Sequence, residues 1–167
     1  GITGKNLKIE ALNVKSNTVK YRVYVQDAGW QEFKQNGEIS GTIGKNQRLE
    51  ALQIELTDEN KDNYDIYYRV HVQDKGWLGW AKNGEDAGSQ GYAKHVEAIQ
   101  IQLVKKDGTA PGNTDNHFSV DSALHQSLLS LGYILVQLAG LYAYMCYMEN
   151  PLLSLYTLLV RFHTGLL

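Results

Sequence analysis

Residues 68–103 repeat residues 21–56 at an offset of 47, without a gap and with 18 of 36 positions identical. Nothing else in the chain constrains the fold as much. A unit this short cannot bury its apolar face alone, so the fold must be an assembly of like units packed on one another. A third copy is cut off at the front: residues 4–14, GKNLKIEALNV, read like residues 44–54, GKNQRLEALQI. The chain thus enters in the last part of a repeat, and it is expected to begin inside a longer protein.

Within each full copy the pattern is that of strands. Val19, Tyr21, Val23 and Val25 alternate with Lys20, Arg22, Tyr24 and Gln26; Ile66, Tyr68, Val70 and Val72 alternate with Tyr67, Arg69, His71 and Gln73. A period of two, rich in β-branched and aromatic residues, marks a half-buried strand. Asn36-Gly37 and Asn83-Gly84 signal tight hairpin turns with φ > 0. The glycines that follow (Gly41 and Gly44, Gly88 and Gly91) mark a backbone that turns sharply or passes close to another segment. They do not form a phosphate loop, because the lysine and hydroxyl such a loop needs are missing. Each copy closes on a strand whose apolar face is Leu52, Ile54 and Leu56, or Ile99, Ile101 and Leu103. Glu50 and Glu97 share that parity, and Glu10 holds the same place in the truncated copy. An inward carboxylate is costly unless hydrogen-bonded, so it is expected to accept from glycine-loop N–H groups or a tryptophan indole.

These signals predict an all-β repeat domain of antiparallel sheets, β-prism- or trefoil-like, followed by a hydrophobic α-helical C-terminal segment. The expected divisions are a truncated repeat at 1–15, a repeat at 18–56, an insertion loop at 57–65, a repeat at 66–104, a linker at 105–117 and an apolar tail at 118–167. The insertion, TDENKDNYD, reads as solvated. Asp58, Asn60 and Asp62 have calcium-loop spacing, but Asn63 stands where that loop needs glycine and Arg69 where it needs glutamate, so no metal site is assigned. In the tail, residues 127–148 run 22 residues without a formal charge, long enough to cross a hydrocarbon core of about 30 Å. Three readings stand for the tail: a membrane anchor, a pair of buried helices, or a stretch of irregular origin.

A net charge of −2 excludes the basic surface that nucleic acid requires. The single cysteine, Cys146, excludes an internal disulfide. That suits a cytosolic protein, and equally a surface protein of an organism that does not use disulfides. No constellation of nucleophile, base or metal ligand emerges, so no enzyme activity and no cofactor are expected. His95 aligns with Arg48 and reads as a surface residue.

The aromatics pose the question of function. Trp30 and Trp77 recur at the same place, as a core hub would. Phe33 and Trp80, three residues on, differ between copies and have polar neighbours, as rings that stack on a sugar face would. The candidate ligand contacts are therefore Trp30, Phe33, Trp77 and Trp80 with Gln26, Asp27, His71, Gln73 and Asp74.

The pattern G-W-x2-[FW]-x2-N-G-E-x2-G-x2-G-x4-[LV]-E-A-[LI]-Q-I-x-L, preceded by Y-R-V-x-V-Q-D, resembles the ChW repeat, named for clostridial hydrophobic repeats with a tryptophan. The resemblance covers residues 4–103, and the family's tryptophan maps onto Trp30 and Trp77. It implies a secreted or surface-displayed module of Gram-positive bacteria that binds polysaccharide or cell wall, including peptidoglycan, or mediates adhesion. The alternatives are a structural spacer and the targeting region of a larger wall-active hydrolase. The implied localisation is the cell surface or wall, with membrane attachment through residues 127–148 if the tail is an anchor.

Overall fold

The computed structural model describes residues 3–121 and, beyond them, residues 123, 126, 130, 131, 133, 134 and 136–138. The chain divides into two units, Gly1–Asp121 and Ser122–Leu167. Every described residue of the second unit is helical. No helix among the described residues is long and apolar enough to cross a membrane. The expected apolar C-terminal helix, and with it the span at residues 127–148, lies mostly outside the described residues.

The first unit is β-sheet. In chain order its strands are β1 (Ala11–Leu12), β2 (Val19–Val25), β3 (Gly29–Trp30), β4 (Lys34–Gln35), β5 (Ser40–Gly41) and β6 (Leu49–Leu56). After the short helix α1 (Asp58–Lys61) come β7 (Tyr64–Val72), β8 (Gly76–Trp77), β9 (Ala81–Lys82), β10 (Ala87–Gln90), β11 (Val96–Lys105) and β12 (Phe118–Val120). Each repeat is one long antiparallel hairpin, β2 on β6 and β7 on β11, with Tyr21 opposite Ile54 and Tyr68 opposite Ile101. The two short strands after the opening strand fold back on its other edge.

Alternation puts Val19, Tyr21, Val23 and Val25 inward, and Ile66, Tyr68, Val70 and Val72 with them. Tyr21 and Tyr68 are fully buried, and each hydroxyl donates to a backbone carbonyl, of Glu38 and Glu85 respectively. Burial raises the Tyr68 phenol well above its ordinary range. A buried phenol of this kind contributes a large apolar ring without leaving a polar atom unpaired.

Both hairpins carry a β-bulge at the same place. Val25 faces Leu49 while Tyr24 faces Ala51, and Val72 faces Val96 while His71 faces Ala98. The extra residue is Glu50 or Glu97. The carboxylates that parity predicted to point inward therefore sit at a bulge, where the ladder is locally open.

The glycines join one repeat to the next. Ala11 pairs with Gly41, and in the following unit Ala51 pairs with Gly88. A Cβ at Gly41 would lie 2.3 Å from the Glu10 carbonyl oxygen, and one at Gly88 would lie 2.4 Å from that of Glu50. Both glycines also have positive φ, +116° and +132°, so close approach and sharp turning are required together. The Asn-Gly turns behave alike: Gly37 N–H donates to Val14 O and Gly84 N–H to Ile54 O, at 3.0 and 2.9 Å. The three closing strands also touch at their starts. Leu49 N–H donates to Ile9 O, and Ile9 N–H donates to Val96 O.

Two expectations about loops change. Residues 57–65 were expected to be solvated, yet Asp65 is fully buried. It accepts from Lys82 and Lys106 Nζ at 2.9 and 3.1 Å, from Asn83 Nδ2 at 2.7 Å and from Asp107 N–H at 3.2 Å. Asp58, at the exposed start of α1, pairs with Lys61 Nζ at 2.9 Å. Residues 105–117, read as a linker, lie against the second repeat: Trp80 N–H donates to Asn113 O, and Gly88 N–H donates to His117 O. Phe118–Val120 then pairs in parallel with β10.

Candidate functional site

The aromatic rings exchange the roles their spacing suggested. Trp30 and Trp77 are not part of the core cluster. They lie across from Tyr24 and His71 on the outward strand face, because the Asp-x-Gly turn returns the chain antiparallel to that face. The ring pairs meet edge to face at 5.6 and 5.5 Å. Trp77 is 37% exposed and Trp80 only 6%. The outward ring expected at Trp80 is thus covered, and the core ring expected at Trp77 is open.

Two contacts explain the exchange. The outward arginine of each opening strand stacks on both rings: Arg22 lies 5.0 Å from Trp30 and 4.7 Å from Phe33, and Arg69 lies 4.9 Å from Trp77 and 4.8 Å from Trp80. Cation–π stacking of this kind gives the second ring a structural role in both copies. Each arginine is aimed by Gln53 or Gln100, whose side-chain oxygen accepts from Nε at 2.6 or 2.8 Å. The second contact is the cover. Gly79 stands where the first repeat has Glu32, and a Cβ there would lie 2.0 Å from Asp115 O. Gly112 lies over the Trp80 indole, where a Cβ would sit 3.1 Å from Nε1. Among the described residues no such segment lies over the ring of the first repeat, and Phe33 remains partly exposed.

Of the polar candidates, Gln26, His71, Gln73 and Asp74 line two neighbouring cavities, and Asp27 lines neither. One, of about 480 Å³, is lined by His71, Gln73, Asp74 and Glu97 with Gly4, Asn6 and Gly76. The other, of about 560 Å³, is lined by Asn6, Leu7, Lys8, Glu10, Gln26, Arg48, Gln73, Ala93 and His95. Asn6 and Gln73 belong to both. Gln26 and Gln73 occupy the same place in the two repeats, held by their N–H groups on Arg48 O and His95 O, both at 3.0 Å. Asp27 and Asp74 sit at the following turns with φ of +61° and +60°. Gln26 Nε2 donates to Asp27 at 3.0 Å, and Lys94 pairs with Asp74 at 2.6 Å. Trp30, Phe33, Trp77 and Trp80 line neither cavity; Trp77 adjoins one through His71.

Three of the lining residues share a repeat position that the sequence reading did not assign to a site. Lys8, Arg48 and His95 fall at the same repeat position in the three copies. The signal was present in the alignment: a basic residue type recurs there although its identity changes. His95, expected on the surface, is buried. Desolvation lowers its pKa, against the opposing pull of the Glu97 carboxylate.

The repeated carboxylates meet the expectation of glycine N–H partners in two copies of three. Gly44 N–H donates to Glu10 at 3.1 Å, and Gly4 N–H donates to Glu97 at 3.0 Å. Glu50 is instead paired with Arg48 Nε at 2.7 Å. Glu97, itself buried, also has His71 Nδ1 at 3.0 Å and His95 Nε2 at 3.7 Å. The site therefore combines fixed carboxylates, the three side-chain amides of Asn6, Gln26 and Gln73, basic groups and an adjoining exposed indole. Such groups hydrogen-bond hydroxyls and carboxylates.

No curated protein and no solved structure matches the chain. The family model described as Clostridial hydrophobic W matches residues 24–58 and 71–105. Those spans contain the two tryptophans that the Asp-x-Gly turns deliver to the outward face, and the chain therefore carries two repeats of the ChW family.

Proposed function

We propose that the chain is a non-catalytic cell-surface module that binds polysaccharide or cell wall in the paired polar cavities where its repeats meet. The observation that carries this reading is that Gln26 and Gln73, with Lys8, Arg48 and His95, line one open cavity although they come from three repeat copies. Concave sites with a few fixed polar groups are where small polar ligands are oriented. Trp77 then serves as the stacking ring, reached through His71. The links from Leu49 to Ile9 and from Ile9 to Val96 favour a trefoil-like arrangement, with the cavity near its pseudo-threefold axis.

The test is a glycan array and a peptidoglycan pull-down with the intact chain. Gln73→Ala is expected to remove binding without lowering the melting temperature, and Trp77→Ala to weaken it several-fold. If folded Gln73→Ala binds as the parent does, or the parent binds no glycan, the reading is wrong. The spacer or adhesion reading draws on a different observation, the apolar residues left exposed on β11.

A further inference from the structure

Around the larger cavity the fold satisfies negative charge more fully than positive charge. The three repeated carboxylates are engaged from within: Glu10 accepts from Gly44 N–H, Glu97 from Gly4 N–H and Glu50 from Arg48 Nε. The three basic groups on the cavity wall are engaged less. Lys8 Nζ donates to the carbonyl and side-chain oxygens of Asn46, which carry no charge, and no carboxylate among the described residues pairs with it. Arg48 meets Glu50 through Nε alone, and among the described residues its two amino groups have no acceptor. His95 is 7% exposed, and its Nε2 is buried without a hydrogen bond; Glu97 Oε1 stands 3.7 Å off. A buried polar nitrogen left unpaired is costly, and here it lies beside two cations with donors to spare. A neutral hydroxyl would satisfy one of these groups. An oxyanion accepts from several at once, through charge-assisted bonds.

We propose, resting on the reading of this cavity as a polysaccharide site, that its ligand is an acidic polymer whose oxyanion, a carboxylate or a phosphate, is held jointly by Lys8, Arg48 and His95. Gln73 and Glu10 on the same wall are placed to bond the hydroxyls of the unit that carries the charge. A cavity of about 560 Å³ has room for such a unit. The net charge of the chain is −2, so a preference for polyanions must come from the cavity and not from a general attraction. His95 couples binding to protons. Burial lowers its pKa; Glu97 and Asp74 pull the other way, and Lys8 and Arg48 lower it further. Of these, Glu97 also faces His71, Asp74 is paired with Lys94, and Arg48 with Glu50. An oxyanion beside Lys8 and Arg48 offsets their effect on His95, which then takes up a proton as the ligand binds. Affinity should therefore rise as pH falls from 8 to 6.

The test is calorimetric titration of the intact chain with polygalacturonate, with poly(glycerol phosphate) and, as the neutral probe, with fully methyl-esterified polygalacturonate. At least one anionic polymer is expected to bind tenfold or more tighter than the ester, and the tighter of the two shows whether carboxylate or phosphate is the group. Lys8→Gln, which breaks no ion pair, is expected to weaken that binding several-fold at an unchanged melting temperature. Lys34→Gln, on β4 and outside both cavities, is expected to leave it unchanged. His95→Gln is expected to remove the gain in affinity between pH 8 and pH 6. If the ester binds as tightly as the anionic polymers, the proposal is overturned while the polysaccharide reading stands. If neither these polymers nor any neutral glycan binds, both are overturned. Equal weakening by Lys8→Gln and Lys34→Gln also overturns the proposal, because the attraction is then diffuse. Should Lys8→Gln melt lower, the ester comparison and the pH dependence of the parent chain decide.

Discussion

Replacing Asp65 by asparagine tests the tie that anchors the insertion between the repeats. The carboxylate is fully buried and holds four donors: Lys82, Lys106, Asn83 and the Asp107 amide. Burial by itself raises the pKa of Asp65, but the hydrogen bonds from Lys82, Asn83, Lys106 and Asp107 outweigh it and hold the carboxyl well below the usual carboxylate range. Removing one member of a buried charge network costs about 3–5 kcal/mol when its partners stay buried. Here the lysine side chains are 36% and 42% exposed and can return to water. Asparagine keeps one acceptor oxygen, so either the Asn83 amide or the Asp107 N–H loses its acceptor and meets a donor instead, and with the lost charge the loss should be about 2–4 kcal/mol. For a unit of this size that is a fall in melting temperature of roughly 10 °C. Urea unfolding at neutral pH reads it directly, as a lower midpoint with an unchanged slope. The pH dependence supplies a second reading. A carboxyl whose folded pKa is depressed contributes fully above its unfolded value of 3.8 and loses that contribution as pH falls through the folded value. The gap between parent and Asp65→Asn should therefore be widest above pH 4 or so and close in stronger acid. Equal midpoints at neutral pH, or a gap that widens in acid, would refute the reasoning.

Three further outcomes follow from the geometry. Gly88→Ala places a Cβ 2.4 Å from a backbone oxygen and at φ +132°; it should cost about 3 kcal/mol and, in hydrogen exchange, loosen the β6–β10 pair before the β7–β11 hairpin. Trp80→Ala should destabilise by about 3–5 kcal/mol as a buried ring, while Trp77→Ala costs far less. Iodide quenching checks the same assignment, since Trp77→Phe should remove most of the quenchable fluorescence and Trp80→Phe little of it. His95 has its pKa lowered from 6.5 by burial, so its protonation favours the unfolded chain. Stability should be full above that value and decline as pH falls below it. His95→Gln should flatten this decline in thermal melts taken across that range.

The strands and their faces were legible because alternation is a local property. Val19 to Val25 and Ile66 to Val72 need only their own spacing to declare which side is apolar. The inward glutamates were legible for a related reason: a carboxylate at core parity demands donors, and the glycine loop was the nearest supply. The roles of the rings were not legible. Trp77 and Trp80 are three residues apart and were told apart by repetition alone, but what separates them is the segment 105–117, which crosses Trp80 from far along the chain and has no period. The one local trace was Gly79, whose missing side chain leaves room for Asp115 O. The cavity was hidden in a different way, since Lys8, Arg48 and His95 become neighbours only when three copies converge. Ile101 and Leu103, exposed on β11, show the converse. Their pattern is that of Ile54 and Leu56, but burial belongs to whatever packs on a strand, and the pattern cannot say whether that neighbour is present.

The bulge at Glu50 and Glu97 bears on how the repeat tolerates change. Without the extra residue, Leu49 and Leu52, three apart, would point to opposite faces; with it, both are buried. The bulge acts as a joint between two frames, the hairpin ladder on one side and the contact with the adjoining copies on the other. Deleting that single residue would leave the composition of the core nearly intact and turn every side chain before it to the wrong face. A substitution there removes a buried carboxylate and its hydrogen bonds, whereas a deletion also changes the frame of the unit.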